Sequence, residues 1–184
     1  MSNIDFIKTG IKNIKKVGAI SRSSRFLCKE AVNHIDFANA NVIVEIGAGD
    51  GVITKHLLEQ MHPDTRLLAF EIMPNLAQQI RQINDDRLVV IEDSAEFLPQ
   101  YLKNHGIEKT DFVVSAIPFV MFSDEEALSI IRICSSCLKK GGKYIQIHYS
   151  LLAKKLYQEV FGNVTGHFVP INIPPAWVLV SEQK

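Results

Sequence analysis

Hydrophobic residues along this chain fall into two alternating patterns. Short β-branched runs occur at Val42–Ile46, Arg66–Glu71, Leu88–Ile91, Asp111–Ser115 and Lys143–His148, with a weaker one at Val164–Val169 and a last one at Trp177–Val180. Between them, helical patterns lie near residues 52–60, 75–83, 95–104, 124–139 and 151–161. Strand and helix in alternation predict a parallel sheet covered by helices on both faces. Several strands are continuous apolar runs, as expected where both faces are buried. The final two runs are separated only by a short Pro-containing connection. A parallel neighbour would need a longer crossover, so a hairpin is predicted, with an antiparallel strand at the end of an otherwise parallel sheet.

Composition narrows the class. The chain has 184 residues, of which 47% are hydrophobic, enough for one domain with a sizeable core. No apolar run reaches the ~18–20 residues that cross a bilayer. Lys8, Lys12 and Lys15 interrupt the N-terminal apolar residues, so no signal-peptide h-region is present and a cytoplasmic protein is expected. Cys134 and Cys137 form a C-x-x-C inside an apolar helical pattern. A zinc site would need two more ligands at matching spacing, so they are read as packing residues and no metal is expected.

Net charge is zero but unevenly spread. Residues 1–30 carry seven Lys or Arg against Asp5 and Glu30, leaving the remainder mildly acidic. Ile4, Ile7, Ile11 and Ile14 share one helical face, with Lys8, Lys12, Lys15 and Lys16 on the other side. Such a helix can lie in a lipid interface, peripheral on the inner face of the membrane. An ordinary helix packed on the domain would give the same pattern. Residues 1–36 are therefore set apart as a basic amphipathic, substrate-proximal segment, and residues 37–184 as the cofactor-binding domain.

The sharpest chemical signal is Glu45-Ile46-Gly47-Ala48-Gly49-Asp50-Gly51, a strand running into a glycine turn before a helix at Val52. Glycine permits positive φ and close approach of a ligand to the backbone, and a helix start offers unpaired N–H groups. A nicotinamide loop would read G-x-G-x-x-G, but position 52 is Val. Glu45 and Asp50 would repel a pyrophosphate at this turn, whereas a cationic, phosphate-free nucleoside suits it. Glu71 ends the second strand and Asp93, beside Ser94, follows the third. Carboxylates at consecutive strand ends fall where open α/β sheets bind ligands. Either one alone also fits an ordinary acid at a helix N-terminus.

This E-x-G-x-G-x-G pattern resembles class I S-adenosylmethionine-dependent methyltransferases, an α/β Rossmann-like fold with a seven-stranded, mostly parallel sheet and an antiparallel last strand. The resemblance implies that Gly47, Ala48, Gly49 and Gly51 line the methionine portion of S-adenosyl-L-methionine. Glu45 would orient its amino group, Glu71 and Ile72 would hold the ribose, and Asp93 and Ser94 the adenine; the product would be S-adenosyl-L-homocysteine. After the fourth strand, Ser115-Ala116-Ile117-Pro118-Phe119 stands where enzymes that methylate base nitrogens carry Asn or Asp, then x-Pro and an aromatic residue.

Together with Gly18–Leu27, which contains Ser23-Ser24-Arg25, and with Asn172-Ile173-Pro174-Pro175-Ala176, this loop is similar to the bacterial phosphatidylethanolamine N-methyltransferases, relatives of the ribosomal RNA adenine dimethylases. The likeness spans roughly residues 17–180. It implies a phospholipid amine as acceptor, met at the membrane surface. Ser115, Tyr149 and His148 are the candidate catalytic groups, Ser115 also bordering the cofactor. Ser23, Ser24 and Arg25 are candidates for the lipid phosphate, with Pro118 and Phe119 beside the acceptor. An RNA adenine dimethyltransferase predicts Asn at position 115 and a basic groove, so the Ser and the acidic body disfavour nucleic acid. The same motifs are also compatible with a small-molecule methyltransferase or with a non-catalytic cofactor-binding module.

Overall fold

A computed structural model describes residues 24–184; the N-terminal amphipathic pattern and Ser23 lie outside the described residues. Among the described residues, seven strands form one sheet: β1 (Val42–Ile46), β2 (Arg66–Phe70), β3 (Leu88–Ile91), β4 (Thr110–Ser115), β5 (Leu138–His148), β6 (Thr165–Val169) and β7 (Ala176–Glu182). Six helices accompany them there: α1 (Arg25–Val32), α2 (Val52–Gln60), α3 (Pro74–Ile80), α4 (Leu98–Asn104), α5 (Asp124–Cys137) and α6 (Lys154–Phe161). The longest of these helices, α5, starts at a capping box. Ser123 Oγ accepts from Glu126 N, and Ser123 N donates to a Glu126 carboxylate oxygen at 2.9 Å.

Strand order is β3-β2-β1-β4-β5-β7-β6. Pairing is parallel from β3 through β5, and β7 runs antiparallel to both neighbours. The last strand is antiparallel, as the short connection requires, but it lies inside the sheet. β6 takes the edge, because Val178 and Leu179 of β7 are buried on both faces while β6 leaves Thr165 and Phe168 exposed. The fifth strand also begins earlier than its β-branched run. Its first residues follow α5 directly, with a register shift between Thr110 and Phe112 of β4.

Alternation along the central strands sorts side chains into two cores. Val42, Val44 and Ile46 of β1, Val113 of β4 and Tyr144 of β5 face α4, α5 and α6. Ile43, Val114, Ile145 and Ile147 face α1 and α2. Cys134 and Cys137 are free and buried in the first core, as packing residues. Helix α1 contributes Leu27, Cys28, Ala31 and Val32 to the second core, so it is part of the folded body.

Gly142 marks the tightest backbone approach in β5. A Cβ added there would stand 2.8 Å from Asp111 O and 2.9 Å from Lys139 O. Backbone oxygens cannot swing aside, so we expect Gly142→Ala to lower stability by about 1–3 kcal/mol. Urea unfolding of the two proteins measures it, and an unchanged midpoint would contradict the packing described.

Candidate functional site

The strand order reverses between β1 and β4, which opens a crevice at the carboxyl edge of the sheet. The glycine turn lies there. Gly47, Gly49 and Gly51 all have positive φ, at 73°, 61° and 78°, a conformation that a Cβ penalises. Gly47 N and Ala48 N both donate to Phe70 O, at 2.9 and 3.0 Å, tying the turn to the end of β2. A Cβ on Gly47 would come within 3.0 Å of Ile117 Cγ1, so the β1 turn and the β4 loop are pressed together at the crevice.

Two carboxylates fix this turn from beneath and beside. Glu45 is fully buried, and one of its oxygens accepts from Thr54 Oγ1 at 2.6 Å. Its other oxygen, Oε1, is buried with no hydrogen-bond partner among the described residues. Burial, opposed by the Thr54 hydroxyl and aided by Glu71, pushes the Glu45 carboxyl up to about 8. Glu71 follows β2 and is nearly buried. Its two oxygens accept from Gly49 N and Met73 N, each at 2.8 Å, with Ile72 half-buried between. Asp93, half-buried after β3, accepts from Ser94 N at 2.8 Å and from Tyr101 Oη at 3.0 Å. The Tyr101 ring stands edge-on to Phe70, 5.6 Å between centroids. Glu45, Gly47, Ala48, Gly49, Gly51, Glu71 and Asp93 thus share one carboxyl edge. An orphaned buried oxygen under a turn that only glycine can form fits a ligand carrying a cationic amino group.

On the β4 side, the structure adds residues that the motifs alone do not single out. Ser115 is buried, paired in register with Gln146 of β5, and accepts from Ile117 N at 3.4 Å. Gln146 Nε2 donates to Ile117 O at 3.0 Å, and Tyr144 Oη donates to Gln146 Oε1 at 3.1 Å. This buried polar chain holds the Ser115–Phe119 loop in place. A signal for it is present in the sequence, since Tyr144, Gln146 and His148 put polar atoms on every second position of a strand buried on both faces.

The two candidate groups after Gln146 part company. His148 points into the core, with Nε2 2.8 Å from Tyr157 Oη, and burial lowers its pKa to about 4. It is an uncharged imidazole at neutral pH. Tyr149 turns outward and is exposed at the crevice edge. Phe119 is also turned inward, packed 5.5 Å from Phe122, so Val120 rather than Phe119 faces solvent; Pro118 caps the short 3-10 turn between.

The N-terminal candidates border the same edge. Ser24 caps α1 through a bond from Leu27 N, and its own N–H donates to Asn172 Oδ1 at 3.1 Å. Asn172 lies in the β6–β7 connection and also donates to Pro174 O. Arg25 is exposed, with its guanidinium 4.9 Å from the Phe26 ring centre.

Comparison with known proteins adds the chemistry. A family profile described as a methyltransferase domain matches residues 43–142. The ornithine lipid N-methyltransferase of Singulisphaera acidiphila is 34% identical over 174 residues, covering 93% of this chain and 91% of that protein. The ribosomal RNA small subunit methyltransferase A of Thermotoga petrophila is 30% identical over 185 residues, covering 92% of this chain and 68% of that protein. Among solved structures, magnesium protoporphyrin IX methyltransferase of Synechocystis with bound S-adenosylmethionine matches at a TM-score of 0.66 and 11% identity, over 100% of this chain and 85% of that one. That likeness is one of fold.

The Glu45 environment has a measurable consequence. Its carboxyl keeps a proton in the folded state up to about pH 8, whereas the unfolded chain releases it near 4.5. The folded protein therefore binds more protons across that window, and stability falls as pH rises through it. Across roughly pH 7–9 the buried His148 adds little to this slope, since it is neutral in the folded state and has lost most of its proton in the unfolded chain. Urea unfolding at roughly pH 7 and roughly pH 9 should show the loss in the parent and a flatter profile in Glu45→Gln. Identical slopes in the two proteins would contradict the assignment.

Proposed function

The chain belongs to the methyltransferase-domain family and is an S-adenosylmethionine-dependent methyltransferase, and on that premise we propose that its acceptor is the amine of a membrane lipid headgroup. The observation that carries this reading is the rim of the crevice. Val120, Leu151, Leu152, Ile171 and Ile173 are exposed in the loops that follow β4, β5 and β6, with Leu152 at 81% and Ile173 at 82%. All stand at the carboxyl edge, where the cofactor cradle opens. Aliphatic side chains on separate loops around one mouth suit a lipid surface, into which they are buried when the headgroup reaches the site. Among the described residues, no helix is long and apolar enough to cross a membrane, so the contact proposed is peripheral. The basic N-terminal residues join the domain at Ser24, beside this rim. The Singulisphaera relative, by its name, methylates an ornithine lipid.

The residues present fit the cofactor. The Gly47–Gly51 turn would seat the methionine end above the Glu45 carboxyl, whose proton a cationic amino group would help to displace, and Glu71 with Asp93 would receive ribose and adenine at neighbouring strand ends. When bound, S-adenosylmethionine supplies a sulfonium methyl group that an amine lone pair can take, leaving S-adenosylhomocysteine. An ordinary alkylammonium has a pKa near ~10 and no lone pair. Desolvation at the apolar mouth favours the neutral amine. Ser115 and the Ile117 carbonyl held by Gln146 lie behind the crevice, and Tyr149 stands at its edge to face the charged product. Arg25, exposed beside Ser24, would meet a headgroup phosphate. Holding the amine in line with the methyl group supplies much of the acceleration.

The test is direct. Full-length protein with radiolabelled cofactor is given phosphatidylethanolamine vesicles, ornithine-lipid vesicles or unmodified ribosomal RNA in separate reactions. Label is expected in a lipid fraction, and label in RNA alone would overturn the lipid reading. Leu152→Asp with Ile173→Asp should cut transfer to vesicles at least about tenfold, the effect of losing about 1.4 kcal/mol of interfacial burial. Calorimetric binding of S-adenosylhomocysteine should be unchanged in that variant, because neither residue borders the glycine turn.

A further inference from the structure

Helix α1 lies on the sheet through Leu27, Cys28 and Ala31, all buried, and its outer side overhangs the edge strand β6. Three side chains distant from the crevice turn and remote in sequence meet there: Glu30 on α1, His34 just past its end and His167 on β6. His34 Nε2 is 3.1 Å from Glu30 Oε1, and His167 Nδ1 is 3.6 Å from the same oxygen. The two imidazole rings stand 4.2 Å apart. One donor atom from each residue lies within 4.8 Å of the other two, and all three residues are half-buried.

We propose that Glu30, His34 and His167 bind one divalent transition-metal ion of the zinc type, at a structural site separate from methyl transfer that ties α1 to the edge strand.

The donor set and its geometry both support this. Two imidazoles and a carboxylate suit zinc, copper or nickel, and are a poor set for the oxygen-seeking magnesium and calcium. Zinc bonds of ~2.0–2.1 Å in a tetrahedron separate neighbouring ligand atoms by about 3.3 Å. The two separations from Glu30, 3.1 and 3.6 Å, bracket that value, and the donor atoms all lie within 4.8 Å of one another, so closure on an ion asks the two imidazoles to draw together.

Such an ion would act on the substrate side of the molecule at one remove. Helix α1 carries Ser24, Arg25 and Phe26 at the rim, and Ser24 is already bonded to Asn172 in the loop that leaves β6. An ion between α1 and β6 is a second tie between the same two elements. Loading it would hold the N-terminal segment against the sheet where β6, an edge strand, has fewest neighbours.

The test uses the full chain, stripped with EDTA and dialysed, and titrated with zinc chloride by calorimetry. About one equivalent is expected to bind. Glu30→Gln, His34→Gln and His167→Gln should each weaken binding by more than the roughly 10- to 100-fold that loss of an outer-shell partner costs. Circular dichroism in EDTA checks that the variants are folded. Hydrogen exchange should show residues 27–35 and 165–169 gaining protection with zinc. The cobalt(II) form of the parent should show the intense visible bands of a low-coordinate site, a readout that needs no variant. Absence of zinc binding in the parent, variants that bind zinc as tightly as the parent does, or a spectrum matching hydrated cobalt would each overturn the proposal.

Discussion

The molecule is organised around the contact between two loops at the centre of its sheet. The turn after β1 and the loop after β4 approach so closely that a Cβ on Gly47 would crowd Ile117 at 3.0 Å. Each loop is held from its own side, the first by Phe70 O and Glu71, the second by Gln146. Because β1 and β4 are parallel neighbours whose crossovers leave in opposite directions, no helix among the described residues covers this point. The crevice is a consequence of chain topology, and the side chains around it then give it chemistry.

Its chemistry starts from an unfavourable act of burial. A carboxyl sealed under the turn with, among the described residues, only Thr54 to satisfy it costs stability whenever it is ionised. A cationic group seated on the turn offsets that cost, so the cradle is complementary to a positively charged ligand in a way that a neutral glycine turn is not. Charge within the cradle extends to its walls, since burial together with Glu45 and Asp50 pushes the Cys28 thiol on α1 up to about 12. The same electrostatics exclude a pyrophosphate. Glu71 and Asp93 extend the acidic edge along β2 and β3.

The distribution of apolar surface gives the other half of the function. At the opposite end of the sheet the loops carry His62, Asp64, Asp86, Glu108 and Lys109, all exposed. At the carboxyl edge they carry Val120, Leu151, Leu152, Ile171 and Ile173. On the lipid reading proposed above, a protein polarised in this way would present its site to an apolar boundary and keep its other end in water. An amine delivered from such a boundary meets the site already partly desolvated, which favours the form that has a lone pair.

Much of this is legible in residues 41–180 without any tertiary contact. Strand and helix order follow from periodicity. The glycine turn and the carboxylates Glu45, Glu71 and Asp93 are visible because each depends on its position within one strand and the turn that follows it. The hairpin at the end follows from a connection too short for a crossover. What the sequence left open was set by packing between distant segments. His148 and Tyr149 are adjacent in the chain, yet a period of two sends one into the core beside Tyr157 and the other to the rim. Only the sheet's register decided which went where. That β7 would slip inside β6, and that His167 would thereby face Glu30 and His34, depended on two strands and a helix competing for the same apolar face. That competition is settled by burial across the whole fold, and no local pattern encodes it.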